Sequence, residues 1–174
     1  MTGVAVVGFM TYLASLLQLA GSLSTMGTAV FFAYWALVAF LSSLLAGRIP
    51  LAARGLFTLA MVFGAAGVLL FHGLIDRWSV PQAVLAATIL GISYGLANSS
   101  LSLLAIESVP QHRVSMGAGA SNTARYLGTA LGVAVMSVLA GSHGLAGGEN
   151  VTVLVFAALA ILTAIVVPVV ARIK

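Results

Sequence analysis

The sequence predicts an all-α membrane protein in which six transmembrane helices form one bundle. Hydrophobic residues make up 61% of the 174 residues and charged residues 6%, whereas a globular domain typically carries about 25% charged residues. The mean hydropathy is +1.19. The charges leave long uncharged intervals at residues 1–47, 55–75, 78–106, 126–148 and 150–171. So few charges cannot cover a water-soluble surface, and the intervals are long enough to cross a bilayer.

The six spans follow one another along the chain with short connections. A helix needs about 20 apolar residues to cross roughly 30 Å of hydrocarbon. Helices are favoured over barrel strands because the apolar runs are continuous and do not alternate with polar residues. The longest predicted connection is the Gly-rich polar segment at residues 141–149. The predicted spans cover approximately residues 3–20, 26–46, 56–74, 82–105, 115–140 and 151–170.

The positions of Lys and Arg predict that both termini are cytoplasmic. Basic residues in short loops favour the cytoplasmic side of a membrane. One predicted side has Arg77, which is adjacent to Asp76. The other side collects Arg48, Arg54, Arg113, Arg172 and Lys174. An even number of spans agrees with this arrangement, so we expect a multi-pass protein of the plasma (inner) membrane.

Several classes of function are disfavoured by composition. The net charge is +4, but the basic residues are scattered and not interleaved with aromatic residues, so no nucleic-acid partner is expected. The chain has no cysteine, and its three histidines lack metal-ligand spacing. The acidic residues Asp76, Glu107 and Glu149 do not cluster, and no nucleotide-binding or Ser/His/Asp motif is present. We therefore expect no enzyme activity, no metal and no cofactor.

Small residues follow helical spacing in the fourth and fifth spans. Without a hydrophobic force between helices in lipid, close packing of small residues holds a bundle together. Gly91 and Gly95 in the fourth span and Gly128 and Gly132 in the fifth are predicted helix-packing residues, with dimerisation as the alternative. The small stripe of the fifth span comprises Gly117, Ser121, Ala124, Gly128 and Gly132, and a polar stripe beside it comprises Asn122, Arg125, Tyr126 and Thr129.

Four polar residues within the spans are candidates for a substrate cavity. Gln18, Asn98 and Asn122 either line such a cavity or bond a neighbouring helix. Arg125 is the most informative, because a charge at the bilayer centre costs about 2.5–3.5 kcal/mol on insertion scales and is usually turned inward or paired. It either reaches water or pairs with Glu107. Its role is either to anchor the helix by snorkelling or to act directly in transport.

The segment at residues 109–139 carries a resemblance to a known family. A loop with a proline and basic residues leads into a small-residue helix. That helix bears Arg125, then Leu127 and Gly128, then a Gly-Val-Ala-Val run at 132–135. This segment is similar to one late in drug:proton antiporters of the major facilitator superfamily, of the EmrB/QacA type with fourteen spans. Residues 12–21 and 46–55 resemble two further segments of that family in the same order, although the acidic residue of its cytoplasmic loop is missing here.

The resemblance implies the carboxy-terminal six-helix half of a major facilitator superfamily transporter, with the amino-terminal half absent. It implies efflux of small amphipathic or cationic substrates, driven by the proton gradient, in a lipid bilayer and in partnership with an amino-terminal half or a second copy. The candidates for cytoplasmic gating are Arg48, Arg54, Glu107 and Arg113. The alternative is a non-transporting membrane module or truncated fragment that packs against another membrane protein, since no acidic residue lies within a predicted span.

Overall fold

The computed structural model of the protein describes residues 10, 13–14, 17–18, 21–72, 78–107 and 109–172. Regular structure in these ranges is entirely helical. The elements are α1 (Thr25–Ala46), α2 (Ala53–Leu69), α3 (Val80–Glu107), a 3₁₀ turn (Gln111–Arg113) and α4 (Val114–Arg172). The all-α class predicted from the sequence is therefore confirmed for the part of the chain that the structure describes.

The helix ends follow from local chemistry. Ser24 caps α1, because its Oγ accepts the backbone N–H of Gly27 at 3.1 Å and satisfies one of the free donors of the first turn. After α1, Pro50 lies in the connection to α2. Pro81 lies in the first turn of α3, where its missing N–H costs nothing. Pro110 separates α3 from α4, because proline cannot donate to a continuing helix.

Helices α1 and α3 run parallel to each other. The hydroxyl groups of Tyr34 and Thr88 lie 2.8 Å apart near the start of both helices. The hydroxyl groups of Ser43 and Ser99 also lie 2.8 Å apart, nearer the end of both. Because the partners advance together along the two helices, the axes point the same way. Such hydroxyl pairs contribute polar contacts in a contact surface that is otherwise apolar.

Helix α2 runs antiparallel to α3. The hydroxyl of Ser93 donates to the carbonyl of Ala60 at 2.7 Å, and it is fully buried. The side-chain amide of Gln82 donates to the carbonyl of Leu70 at 2.6 Å. Gln82, near the start of α3, thus contacts Leu70, at the end of α2. Consequently, the end of α1, the start of α2 and the end of α3 lie at one end of the bundle.

Two apolar clusters fill the bundle, one toward each end. Half of the apolar stretch of α3 is buried, against 17% of that of α1, so α3 is central and α1 is peripheral. The first cluster comprises Met10, Leu13, Leu17, Val68, Phe71, Ala83, Ala86, Leu90, Val153 and Phe156. The second comprises Ala46, Leu56, Phe57, Ala60, Met61, Leu96, Ala97 and Ala164. Most buried residues of α3 are Ala, Gly or Ser, and these small side chains allow its neighbours to approach it closely.

Gly91 and Gly95 lie where α1 crosses closest to α3. A Cβ atom at Gly91 would come within 2.9 Å of the Val38 side chain. A Cβ atom at Gly95 would come within 2.8 Å of Ser42 Cβ and still closer to the backbone carbonyl of Ala39. Carbon atoms in contact normally sit about 3.5–4.0 Å apart. The two helices can therefore adopt this separation because α3 has glycine at both positions.

Helix α4 changes direction within its length. It contains 59 residues and would be about 88 Å long if straight, at about 1.5 Å per residue. Yet Arg125 contacts Asn98 on α3, and Ala164 packs in the same apolar cluster as Ala97. Both contacts require the axis to turn back between Arg125 and Val153. The later part of α4 thus returns toward the end of the bundle from which α4 began.

The polar connection expected at residues 141–149 differs from the structure, in which the backbone is helical there. A helix satisfies each backbone N–H and C=O group within its own segment, so it can continue through glycines. Glycine and polar residues here therefore do not mark a loss of helical structure.

Two of the described helices are long and apolar enough to cross a membrane, Thr25–Ala46 and Val80–Glu107. Shorter apolar helical stretches occupy Ala53–Leu69 and Val153–Val166. The division of the chain into six membrane spans stays a prediction, and the first predicted span falls largely outside the described residues.

The close approach of α1 and α3 leads to a stability prediction. Gly95→Ala should lower the free energy of unfolding by about 1–3 kcal/mol, because overpacking against a backbone carbonyl cannot be relieved by a rotamer change. Gly119→Ala is the matched control, since nothing lies within 4 Å of its added Cβ. Denaturation in detergent micelles, followed by circular dichroism, measures both. Equal stability of the two variants would contradict the packing described here.

Candidate functional site

A charged group lies between α3 and α4. Arg125 on α4 donates from Nη1 to Oδ1 of Asn98 on α3 at 2.5 Å. Its Nη2 donates to Oδ1 of Asn122, one turn earlier on α4, at 3.2 Å. The guanidinium thus bridges two amide oxygens from two helices. Thr129 lies one turn further along, and its hydroxyl donates to the Arg125 carbonyl at 3.0 Å.

The register of α4 determines that Arg125 faces α3. The less exposed positions of the early part of α4 recur at helical spacing and are Val114, Gly117, Ser121, Arg125, Gly128, Thr129, Gly132 and Val133. A Cβ at Gly117 would lie 2.9 Å from the Ala105 carbonyl of α3. Because small residues flank Arg125 on this face, the two helices approach closely enough for its side chain to reach Asn98.

One detail of the predicted stripes is wrong. Helical spacing predicts that Ala124 belongs to the small-residue stripe and Arg125 to the polar stripe beside it. In the structure Ala124 is exposed and Arg125 is half-buried on the packed face. Both residues satisfy helical spacing after Ser121, so periodicity alone cannot choose between them. The hydrogen bond to Asn98 rotates the helix so that Arg125 faces inward.

The partners of Arg125 are neutral amides. The sequence left open whether Arg125 pairs with Glu107 or reaches water, and in the structure it does not pair with Glu107. Gly117 is the residue of α4 that lies beside Ala105, and Arg125 lies about 12 Å further along α4, away from the exposed Glu107 at the end of α3. Among the described side chains, the hydrogen-bond partners of the guanidinium are Asn98 and Asn122, and its positive charge is solvated by amide dipoles without neutralisation.

A cavity of about 260 Å³ adjoins this group between α1 and α3. It has a mixed aromatic and polar lining, made up of Trp35, Ala36, Ala39, Phe40, Ser43, Tyr94, Gly95 and Asn98. The rings of Trp35 and Tyr94 have their centroids 5.1 Å apart and are inclined at 41°. Asn98 therefore belongs both to the cavity wall and to the hydrogen-bond group around Arg125.

One polar atom near this cavity lacks a partner within the described part of the chain. The indole N–H of Trp35 is buried and makes no hydrogen bond there. A buried donor left unpaired costs about 1–3 kcal/mol. Such a group is a place where a ligand or an ordered water gains affinity by supplying an acceptor.

Sequence reasoning missed Trp35 and Tyr94 as site residues. Phe31, Phe32 and Trp35 do follow helical spacing in α1, but such an aromatic stripe is equally typical of a helix that packs in a core. Their meeting across α1 and α3 depends on the tertiary arrangement. No spacing rule within one helix joins Trp35 to a residue of a different helix.

The remaining predicted site residues lie in separate places. Gln18 is exposed and adjoins Leu17, which packs in the first apolar cluster with Ala83 and Ala86. Position 86 lies about 18 Å along α3 from Asn98, so the structure does not bring Gln18 to the group around Arg125. The predicted packing residues Gly128 and Gly132 are buried on the face of α4 that carries Arg125.

The four candidates for gating are all exposed and lie at one end of the bundle. Arg48 and Arg54 flank the connection from α1 to α2, and Glu107 and Arg113 flank the connection from α3 to α4. The parallel and antiparallel directions of the helices bring these two connections to the same end. The structure shows no ion pair among these four side chains.

A second cavity of about 320 Å³ lies near the start of α1. It is almost entirely apolar, and its lining comprises Leu23, Gly27, Val30, Phe31, Tyr34, Trp78, Val80, Ala83 and Val84. The hydroxyl of Tyr34 at its wall is bonded to Thr88. The described lining offers no group that would orient a ligand, so the cavity with the better defined chemistry is the one beside Asn98.

The two amide partners of Arg125 should contribute different amounts to the free energy of unfolding. Asn98→Ala should cost about 0.5–2 kcal/mol of stability, the range for polar contacts between membrane helices. Asn122→Ala should cost less, because Asn122 is exposed and its bond to Arg125 is longer. The loss from Asn98→Ala should shrink in an Arg125→Met background, because the contact is then already absent. A double-mutant cycle with unfolding in detergent measures this coupling, and a coupling of zero would refute it.

Comparisons with known proteins favour membrane transport in general. Over 90 residues, or 52% of this chain, the sequence is 30% identical to YwoD of Bacillus subtilis (strain 168), described as an uncharacterized MFS-type transporter. The match covers 20% of that relative's length. No family model matches the chain. No solved structure matches it. Together with the two apolar helices that are long enough to cross a bilayer, the similarity favours a membrane protein involved in transport.

Proposed function

We propose that this chain is the carboxy-terminal half of a proton-coupled efflux antiporter of the major facilitator superfamily, acting on small amphipathic molecules. The observation that carries the proposal is the hydrogen bond from Arg125 to Asn98 between two helices of the bundle, beside a cavity with aromatic and polar walls. A charge in such a place is expensive, and it is typical of substrate or ion pathways in membrane proteins. The similarity to an MFS-type transporter supports the same class.

The half-transporter proposal rests on how such proteins work. Two six-helix halves rock against each other around a site at their interface. One half supplies one wall of that site. The broad exposed apolar face of α1, with Leu37 at 55%, Phe40 at 60% and Leu44 at 62% exposure, would then face lipid or the second half. The match covers a fifth of the relative's length, and the rest of that length leaves room for a second half.

The orientation proposed is with the Arg48, Arg54 and Arg113 end of the bundle in the cytoplasm. These exposed basic residues lie in two short connections at one end, and basic residues in short loops favour the cytoplasmic side. Arg172 ends α4, whose later part returns toward the same end. The plasma membrane is the proposed location.

A second candidate is a non-transporting module that packs against another membrane protein. The observation that favours it is the absence of an acidic residue from the predicted spans, since an acidic side chain is the usual carrier of a proton through a membrane. In the full-length antiporter this group would be supplied by the other half. Proton-coupled uptake by the chain reconstituted alone would exclude the passive module.

Efflux measurements test the role of Arg125. In cells expressing this sequence in its full-length context, Arg125→Ala should abolish most of the energy-dependent export of ethidium or fluorescein, whichever dye the parent protein exports. Gly119→Ala is the control, because its added methyl meets open space. Membrane levels of each variant are matched by immunoblotting. Unchanged export by Arg125→Ala would count against a transport role for this residue.

The orientation is testable because the chain contains no cysteine. Thr25→Cys places a thiol at the start of α1, and Ala52→Cys places one just before α2, at the opposite end of the bundle. Both positions are exposed. A membrane-impermeant maleimide should label Thr25→Cys in spheroplasts and Ala52→Cys in inverted vesicles. The reverse pattern would invert the proposed topology. Equal labelling of both variants in both preparations would argue against a single orientation in the membrane.

A further inference from the structure

We infer that the cavity between α1 and α3 binds a flat aromatic molecule that carries an anionic, hydrogen-bond-accepting group. The inference rests on the proposed transport function and names its substrate class. It departs from the cationic substrates that the family resemblance implies, because Trp35 and Asn98 offer donors beside this cavity and the charge next to it is positive.

The size and the walls of the cavity fit one aromatic unit. Its volume is about 260 Å³, whereas a cavity of about 150 Å³ binds benzene. The inclined rings of Trp35 and Tyr94 form two aromatic walls. Ala36, Ala39 and Gly95 add no bulk to the remaining wall. A substituted single ring or a small fused ring system therefore has room to pack against the two aromatic faces.

Two groups beside the cavity can act only as donors toward a ligand, whereas the hydroxyl groups of Ser43 and Tyr94 in its lining can donate or accept. The indole N–H of Trp35 is buried without a partner among the described residues, and an indole nitrogen donates and does not accept. Asn98 uses its Oδ1 to accept from Arg125, which leaves its side-chain NH₂ as the group that remains for a ligand. A molecule with acceptor oxygens would pair with the Asn98 NH₂, and it would pair with the buried Trp35 N–H once the indole turns that edge toward the cavity, whereas a molecule that only donates would satisfy neither group.

The charge near the cavity selects the sign of the ligand. Arg125 lies one hydrogen bond away from the lining, and its described partners are uncharged. The lining itself contains no carboxylate. Glu107, also on α3, lies about 13 Å further along the helix from Asn98 and is exposed. In a site of low dielectric, a fixed positive charge attracts an anion and repels a cation.

Aromatic walls by themselves would also attract an organic cation. Here that attraction competes with the guanidinium charge, and a cation would leave the Trp35 N–H without an acceptor. The donor and the charge act in the same direction, toward an anion. An aromatic carboxylate combines all three features, because it supplies a flat ring, two acceptor oxygens and a negative charge.

Trp35 can report binding directly. The chain has two tryptophans, Trp35 and Trp78, so Trp78→Phe leaves Trp35, in the wall of the cavity, as the single tryptophan. The purified full chain in lipid nanodiscs is titrated with 4-nitrobenzoate, an aromatic carboxylate that quenches indole fluorescence. Methyl 4-nitrobenzoate and (4-nitrobenzyl)trimethylammonium serve as the matched neutral and cationic probes.

We expect saturable quenching by 4-nitrobenzoate with an affinity at least tenfold higher than that of the cationic probe. In the same background, Arg125→Met and Asn98→Leu should each weaken the carboxylate at least tenfold, while Leu44→Ala, at an exposed position outside the lining, should leave it unchanged. Tighter binding of the cation would overturn the sign of the ligand. Linear, non-saturable quenching by all three probes would show partition into apolar surface and overturn the site.

A further variant keeps the inference testable if Arg125→Met or Asn98→Leu fails to fold. Trp35→Phe keeps an aromatic wall and removes the N–H donor, and equilibrium dialysis of radiolabelled 4-nitrobenzoate should show at least fivefold weaker binding with unchanged helix content by circular dichroism. Unchanged affinity in this variant would overturn the donor's part in the site. If the full-length protein exports no dye but binds 4-nitrobenzoate saturably, the proposed transport function is overturned and the proposed binding site is supported. Export without saturable binding would overturn the site alone.

Discussion

The rest of this structure depends on the close contact between α1 and α3 at Gly91 and Gly95. Helices in lipid gain little from burying apolar surface against each other, so their separation is set by how closely their backbones can approach. Glycine at these two positions lets the helices meet almost backbone to backbone. That contact brings the Ser43 and Ser99 hydroxyl groups within hydrogen-bonding distance. It also brings Trp35 beside Tyr94 and so creates the cavity that Asn98 borders.

The placement of Arg125 follows a different constraint, which is the cost of a charge away from water. The structure meets this cost with dipoles, by hydrogen bonds to Asn98 on the neighbouring helix and to Asn122 on its own. A carboxylate partner would neutralise the guanidinium, whereas amides leave its charge available to a third group. This arrangement connects the packing of α4 against α3 to the electrostatics of the cavity. It is therefore the feature that the transport proposal and the ligand proposal share.

Helix α4 shows how local signals and tertiary contacts compete. Glycine and polar residues at 141–149 are typical of a connection, yet the backbone there is helical. The chain reverses its direction between Arg125 and Val153. Apolar packing of Val153 and Phe156 in one cluster and Ala164 in the other holds the returning segment against α2 and α3. The reversal brings the end of α4 back to the basic end of the bundle, where the exposed residues Arg48, Arg54 and Arg113 lie.

The sequence by itself determined the helical class, the membrane character and the identity of Asn98, Asn122 and Arg125 as unusual residues. These conclusions follow from hydropathy and from the cost of polar groups in lipid, which depend on composition within one segment. The tertiary structure decided that Arg125 binds Asn98 and not Glu107, that Gln18 lies elsewhere, and that Trp35 and Tyr94 form a cavity. Such pairings depend on the rotation and separation of whole helices, which residues far apart in the chain set together, and no periodicity within one helix contains that information.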